Sequence, residues 1–394
     1  MLTPRNISVL LLFGLSLVLG TSEPLKAQET AVSFLRIVNS PRANGMGGCV
    51  VTMVSEESAY YNPASIGLLH LDKAVSFVVP HSTKWFPEMA DDIRLKSWSV
   101  SVGASQRLFE KSATGQENIS LGFAYSHTAL NYGTFLRTSE HGDTLGLFES
   151  YDAVKCLAIG FGWQRKVRIG FGYAIKFIDS RLAPQGAGAE AGSGSADGTA
   201  HQFGLMVELP IHELTADDEP HNDASAGRTE TKITPTFACV FDNLGKDMRY
   251  IDADQSDKLP KMSRVGLSVL VAVDSAGREY YSFRGSVEWE KLLVGNSPDQ
   301  AKAGLEVGVL RTLFGRIGLL GFDEASERLT TYGLGFRLRG FLDAVFQDNA
   351  ADEDRDFGAY FARHIDFAVD YAKYGSRDGN DLSKTWFYAI SVSL

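Results

Sequence analysis

The sequence predicts an all-β protein: a transmembrane antiparallel β-barrel of about 14 strands with an N-terminal plug segment. The first observation is strict alternation. From Val167 to Phe177 every second residue is apolar, and the residues between them are small or charged. A period of two places the apolar side chains on one face of a strand. The second observation is that this pattern recurs in segments of about ten residues, the length that a tilted strand needs to cross a bilayer. The third is a secretory signal peptide at the amino terminus.

The signal peptide is predicted to span residues 1–27. An apolar run from Ile7 to Leu19 follows an arginine and precedes small and polar residues, which is the order of a positive region, an apolar core and a cleavage zone. We expect cleavage near Ala27, with Gly20 as an alternative site. A membrane anchor is the other interpretation, but the run is too short for a spanning helix.

The rest of the chain divides into an N-terminal plug, residues 28–72, and the barrel, residues 73–394. The barrel region contains strand-like segments that begin near Ala74, Leu95, Ile119, Ala153, Val167, Ala200, Thr231, Met262, Tyr280, Ala301, Arg316, Leu329, His364 and Lys384. An even number of strands returns the chain to the side on which it began, so both termini are expected in the periplasm. The last strand ends the chain at Leu394, and we expect it to pair with the first strand to close the barrel.

The lengths of the connections test this count of strands, because outer-membrane barrels alternate short periplasmic turns with long outer loops. Short predicted turns alternate with long predicted loops at 131–151, 182–198 and 244–261. Two connections on the predicted periplasmic side, 212–230 and 341–361, are long and break the alternation. Either the strand count is locally wrong or these two segments have a role of their own.

Charged residues in mid-strand indicate which face meets lipid. A lysine or arginine facing lipid at mid-depth costs about 2–4 kcal/mol. The charged residues expected to face the lumen are therefore Arg168, Lys176, Arg284, Glu288, Asp366 and Asp370. In a soluble secreted β-protein, the alternative fold, they would face water and the apolar faces would pack together. The signal peptide and the number of strands favour lipid, so outer-membrane lipid is the predicted environment.

Composition and motifs argue against several functions. The net charge of −10 argues against a nucleic-acid partner, which would need a basic surface. The sequence contains no G-x-S-x-G, H-E-x-x-H, C-x-x-C or P-loop motif, so we expect neither an enzyme nor a cofactor. The three cysteines have no metal-type spacing. A metal at His201, His212 and His221, or calcium near Asp217, Asp218 and Glu219, is the alternative for residues that we expect to be solvent-exposed.

The segment before the first strand carries two motifs, Gly45-Met46-Gly47-Gly48 and Asn62-Pro63-Ala64. At this spacing they resemble the N-terminal signature of the PorV/PorQ family, within the FadL-like (OmpP1-type) superfamily of outer-membrane barrels. Weaker matches follow in the same order as in the family, at Asp242-Asn243-Leu244-Gly245, Arg264-Val265-Gly266-Leu267 and Tyr332-Gly333-Leu334-Gly335. The resemblance covers nearly all of the mature chain. It implies a plug in the barrel mouth whose structural residues are Gly45, Met46, Gly47, Gly48, Asn62, Pro63 and Ala64.

The resemblance implies two possible functions in the outer membrane of a Gram-negative bacterium. The PorV/PorQ family implies a non-enzymatic role in protein export (type IX-like) or surface assembly, with secretion-system proteins or secreted cargo as partners. The FadL-like superfamily implies instead a channel that takes up hydrophobic ligands such as long-chain fatty acids. The residues predicted to face the lumen are mainly glycine, alanine, serine and charged residues, which weighs against an apolar conduit. Long outer loops favour contacts with proteins, so protein export is the main prediction.

Overall fold

The computed structural model describes residues 30–87, 92–106, 117–139, 141–184, 194–215, 229–250, 256–275, 278–294, 299–321, 328–346, 365–375 and 382–394. Antiparallel strands form one closed barrel in which neighbours in sequence are neighbours in the sheet. The strands are β1 Val75–Lys84, β2 Arg94–Ser105, β3 Asn118–Thr138, β4 Thr144–Gln164, β5 Arg168–Ala183, β6 Gly194–Glu208, β7 Thr229–Gly245, β8 Met262–Ser275, β9 Arg278–Leu292, β10 Gln300–Val309, β11 Leu313–Leu320, β12 Leu329–Arg337, β13 Asp366–Tyr374 and β14 Trp386–Ser393.

The predicted closure is confirmed, because β1 pairs with β14 through Ser76 opposite Ser393. A closed sheet leaves no unpaired edge, which is the condition for a sheet that crosses a bilayer. We call the end at which β1 begins and β14 ends the terminal end of the barrel, and the opposite end the far end.

Short helices lie before the barrel and in two of its connections. They are α1 Pro41–Gly45, α2 Ala64–Leu69, α3 Ile211–Thr215 and α4 Leu338–Phe346, with single 3₁₀ turns at Ser33–Arg36 and Ser58–Tyr60. The described residues contain no helix that is long and apolar enough to cross a membrane. The connections that contain α3 and α4 are the two long ones that broke the expected alternation. Part of the extra length of these two connections is helix at the terminal end. The predicted number of 14 strands is correct.

The alternation along the strands sorts the side chains as predicted. Phe171 on β5 is 53% exposed on the outer face, whereas Lys176 on the same strand is fully buried inside the barrel. Glu288 and Asp370 also lie inside. The outer face is a belt of exposed apolar residues that includes Leu121, Phe123, Leu157, Phe161, Phe203, Leu267, Phe283, Leu305, Ile317 and Leu334. A belt of this kind is stable in contact with lipid and unfavourable in water.

The predicted loop at 131–151 is wrong for most of its length. β3 and β4 continue to pair through this range and extend beyond their outer neighbours at the far end. Phe135 lies opposite Phe148, and Leu136 lies opposite Leu147. Cross-strand apolar pairs of this kind stabilise a two-stranded ribbon. The projecting hairpin therefore replaces the loop that strands of only about ten residues would leave between them.

Candidate functional site: the lumen and its plug

The chain before β1 runs through the lumen. We call residues 30–72, the described part of the predicted plug, the plug segment. At the far end, the backbone nitrogen of Ala31 donates to the carbonyl of Lys258, between β7 and β8, at 3.0 Å. At the terminal end, Lys73 Nζ donates to Ser393 Oγ at 2.7 Å. The first described residues and the carboxyl terminus therefore lie at opposite ends. The predicted signal peptide and the amino terminus itself lie outside the described residues.

The first motif packs against glycines of the wall. Gly45-Met46-Gly47-Gly48 begins at the last residue of α1 and lies against β10, β11 and β12. A Cβ on Gly318 would lie 1.9 Å from the backbone nitrogen of Gly47, and a Cβ on Gly45 would lie 2.9 Å from Cα of Gly333. Gly47 and Gly48 have φ of 69° and 80°, a region that favours glycine. Both the wall and the motif therefore need glycine here, and this contact fixes the path of the plug segment.

The second motif begins α2 and packs against glycines on the opposite part of the wall. Asn62 Oδ1 accepts from the backbone nitrogen of Ala64 at 3.1 Å, and its amide nitrogen donates to the carbonyl of Val51 at 2.8 Å. A Cβ on Gly172 would lie 2.1 Å from the carbonyl carbon of Pro63, and one on Gly204 would lie 2.1 Å from Asn62 Oδ1. Asn62 thus joins two turns of the plug segment while α2 rests on β5 and β6.

A chain of buried ion pairs joins the plug segment to the wall in β10, β11 and β13. Arg42 donates to Glu306 through Nη2 at 2.7 Å and through Nε at 3.0 Å. Arg316 donates to the same carboxylate at 2.6 Å and to Asp370 at 2.7 Å. The Glu306 side chain is 5% exposed and the Arg316 side chain 1%. Charges this deeply buried are tolerated only when they are paired, so the plug segment supplies a partner that the wall requires.

A second set of polar contacts lies nearer the far end, on β9. Glu288 Oε2 accepts from the backbone nitrogens of Val50 at 2.7 Å and Val51 at 2.9 Å. Arg36 pairs with Glu290 at 3.0 Å. Sequence reasoning placed Glu288 in the lumen but did not identify its partners, because more than two hundred residues separate the two sides of each contact.

The lumen also has an apolar side, which contradicts the expectation of a lining made mainly of small and charged residues. Buried apolar residues of β2–β5, β12 and β14 form this apolar lining: Leu95, Leu130, Val154, Ile178, Leu329 and Phe387. Plug residues Val32, Phe34 and Leu35 belong to the same packed cluster. The exposed Lys155 shows why the alternation of polar and apolar residues did not predict the apolar lining. At the far end the outer face is itself partly charged, so polarity no longer separates the two faces.

Below the plug, at the terminal end, a cavity of about 620 Å³ is lined mainly by charged side chains. They include Arg42, Glu56, Arg168, Glu208, Arg337 and Asp366. The plug segment therefore separates a charged vestibule at one end from an apolar lining toward the other. An apolar molecule can contact this lining only where plug residues such as Phe34 and Leu35 have moved away from it.

The alternative metal sites receive no support from the described residues, among which no group of three His, Cys, Asp or Glu is placed to hold a metal ion. His201 lies on β6 and its Nδ1 is 2.7 Å from the hydroxyl of Tyr173. His212 lies in α3. His221 and residues 217–219 lie outside the described residues.

Neither a protein-family model nor a curated protein matches the chain. Solved outer-membrane barrels align along most of it. The Pseudomonas putida toluene transporter TodX has 13% identity and a TM-score of 0.41, with 95% of this chain and 99% of that chain covered. The Ralstonia pickettii toluene transporter TbuX has 12% identity and a TM-score of 0.39, covering 90% and 96%. The translocator domain of the Neisseria meningitidis autotransporter NalP has 9% identity and a TM-score of 0.34, covering 84% and 91%. Similarity at this level does not indicate what the chain binds.

Proposed function

We propose that this protein is an outer-membrane channel of FadL-like type for hydrophobic small molecules, closed by its own plug segment. The observation that carries the proposal is the apolar lining, which is occupied by Phe34 and Leu35 of the plug. An apolar molecule that displaced these two side chains would meet the same buried apolar surface. In this proposal residues 1–27 direct export, the protein is not an enzyme, and the PorV/PorQ-like export role is secondary.

The plug is fastened in a way that allows it to move. It is held by hydrogen bonds, ion pairs and glycine contacts, and the three cysteines are free thiols. Burying one Phe or Leu side chain contributes about 1.5–3 kcal/mol. A hydrophobic ligand that occupies the same lining regains that contribution, which offsets the loss of the Phe34 and Leu35 contacts when the plug moves. A ligand that binds only the displaced state therefore shifts the plug toward that state.

Uptake into liposomes tests the proposal. Purified protein is reconstituted into vesicles with a lipopolysaccharide outer leaflet, because toluene and palmitate cross a phospholipid bilayer unaided, and protein-dependent entry of radiolabelled palmitate and toluene is compared with entry of a sugar. We expect uptake of the hydrophobic probes only. Phe34→Ser with Leu35→Ser should accelerate it because the lining is no longer filled. The matched control is Phe135→Ser with Leu136→Ser, which removes the same two side-chain types from the projecting hairpin. Equal rates for protein-containing and empty liposomes would reject the channel.

The projecting hairpin favours a second candidate function, export or surface assembly of proteins. Leu147 is 71% exposed, Leu136 56% and Phe135 46%, although they lie beyond the neighbouring strands at the far end. Exposed apolar pairs at this position suit contact with another protein. Affinity purification from mildly solubilised membranes distinguishes the two roles. A stoichiometric protein partner lost from Phe135→Ser/Leu136→Ser, but retained by Phe34→Ser/Leu35→Ser, would favour export.

A further inference from the structure

A basic surface lies on the outside of the barrel near the far end. Arg94 and Lys96 on β2 and Lys155 on β4 are all exposed, and we call these three residues the basic patch. The residues that alternate with them, Leu95 and Val154, are buried in the lumen. The three basic side chains therefore point away from the lumen, toward the surroundings of the barrel.

The strand register shows which residues lie between the basic side chains on the outer face of the sheet. Lys96 lies opposite Ala129, and Ala129 lies opposite Ala153 on the next strand. Lys155 lies opposite His127, one row closer to the terminal end. Lys96 and Lys155 stand two strands and one row apart, so their Cα atoms are about 12 Å apart at the usual strand spacing and rise. Ala129 is half-buried and Ala153 is 9% exposed, so small side chains lie between Lys96 and Lys155 on the outer face.

The basic patch has no internal counter-charge. Among the residues that the structure describes, no carboxylate forms an ion pair with Arg94, Lys96 or Lys155. Arg181, on the same outer face, is by contrast paired with both Asp179 and Asp197 at 3.0 Å. In a chain with a net charge of −10, three basic residues that no described carboxylate pairs with favour an anionic ligand.

The surroundings of the patch are those of a membrane interface. Directly below it, Trp98 and Tyr125 contact each other with ring centroids 5.2 Å apart. Aromatic side chains of this kind mark the level of the lipid headgroups in barrels. Beside it, a cavity of about 1640 Å³ runs along the outer wall and is lined by Tyr151, Lys155 and Phe177, and also by Asp179, Asp197 and Asp247. These three carboxylates are paired with Arg181 and Lys261. A ligand here meets charge above and apolar surface below.

We propose that the basic patch binds the phosphorylated headgroup of a membrane lipid in the leaflet at the far end. The phosphate lies between Lys96 and Lys155 with Arg94 above it, and the acyl chains run down the apolar belt past Trp98 and Tyr125. A free anion would use the basic side chains alone, whereas a lipid also uses the aromatic pair and the cavity. This inference does not depend on whether the lumen conducts.

Lipid binding by the full-length protein in detergent micelles tests the site. The probes are diphosphoryl lipid A and the same lipid with its phosphates removed, measured by native mass spectrometry. Lys96→Gln with Lys155→Gln should weaken binding of the phosphorylated lipid by at least tenfold, since each basic residue at a membrane surface contributes about fivefold in affinity. The control, Arg165→Gln with Lys166→Gln, removes the same charge from the turn between β4 and β5 at the terminal end and should leave binding unchanged.

Three results would overturn the proposal: equal affinity for the dephosphorylated lipid, equal weakening by the two double variants, or complete displacement of the lipid by millimolar inorganic phosphate. The last would indicate a site for free anions. Folding is checked by heat-modifiable migration on gels. If the Lys96/Lys155 double variant does not fold, Lys96→Gln alone is measured, with an expected loss of about fivefold; unchanged affinity in that variant also rejects the site.

Discussion

Replacing Glu306 with glutamine should loosen the plug without opening the wall. The Glu306 carboxylate accepts two hydrogen bonds from Arg42 of the plug segment and one from Arg316 of β11. Glu306→Gln keeps the size of the side chain and removes its charge. Arg316 retains Asp370 at 2.7 Å, but Arg42 loses the only carboxylate with which it forms an ion pair among the described residues. A buried guanidinium is then left unpaired at the contact between plug and wall.

The expected loss of docking free energy is about 3 kcal/mol, the lower limit for breaking one side of a buried ion pair, because the Arg42 side chain is 16% exposed and water reaches it in part. This corresponds to about a hundredfold larger population of undocked plug. Trypsin reports that population through cleavage after Arg36 or Arg42, while the barrel stays folded. We therefore expect about a hundredfold faster cleavage in the plug segment.

Two comparison variants make the result specific. Glu230→Gln removes a 58% exposed carboxylate that lies 4.0 Å from Lys232, and should not change cleavage in the plug. Adding Arg42→Met to Glu306→Gln removes the unpaired guanidinium and should slow cleavage after Arg36 relative to Glu306→Gln alone. Unchanged cleavage in Glu306→Gln would refute the role of this ion pair in holding the plug.

Three further predictions concern packing, the lipid face and pH. Gly318→Val places side-chain carbons where the backbone nitrogen of Gly47 lies, so the plug should undock and its tryptic cleavage should rise while the barrel still assembles. Phe171→Lys puts an ammonium on the lipid face at a cost of about 2–4 kcal/mol, so the folded fraction in membrane vesicles should fall; normal assembly would show that this face is assigned wrongly. Burial in the plug, outside the strands, raises the pKa of the Glu57 carboxyl from 4.5 to about 8. The contribution of Glu57 to docking is therefore complete below pH 4.5 and is lost as pH rises to about 8, so the cleavage rate of the plug relative to that of Glu57→Gln at the same pH should increase over this range.

The strands and their faces could be predicted from the sequence because a lipid exterior imposes a simple rule. Phe171 and Phe123 had to face out and Lys176 had to face in, since a charge in lipid costs several kcal/mol. The sequence also shows that Gly170 and Gly172 alternate with apolar residues and therefore face the lumen. Only the structure shows that α2 packs on Gly172. Local pattern determines the side of the wall on which a residue lies, but not which distant residue it contacts.

The apolar lining and the projecting hairpin were missed for two physical reasons. Leu95 and Val154 lie at the far end, where the outer face also carries charge, so an apolar residue there no longer marks the lipid side. Phe135 and Leu147 lie in a segment with glycines that suggested a loop, but cross-strand pairing outweighed turn propensity. Contacts such as Arg42 with Glu306 join residues 264 positions apart and could not be predicted from either segment alone.

The central claim is that molecules pass through the lumen only when the plug moves. The sulfur of Cys49 in the plug lies 3.8 Å from the carbonyl oxygen of Ser286 on β9, and both residues are buried. Ser286→Cys places a second thiol beside Cys49, and oxidation then links plug to wall. In vesicles with a lipopolysaccharide outer leaflet the oxidised variant should take up no more hydrophobic probe than vesicles without protein, and reduction should restore uptake. Ser282→Cys, four residues away on the same face of the strand, should respond to neither treatment. Uptake by the oxidised, cross-linked Ser286→Cys protein at the rate of the reduced protein would contradict the account.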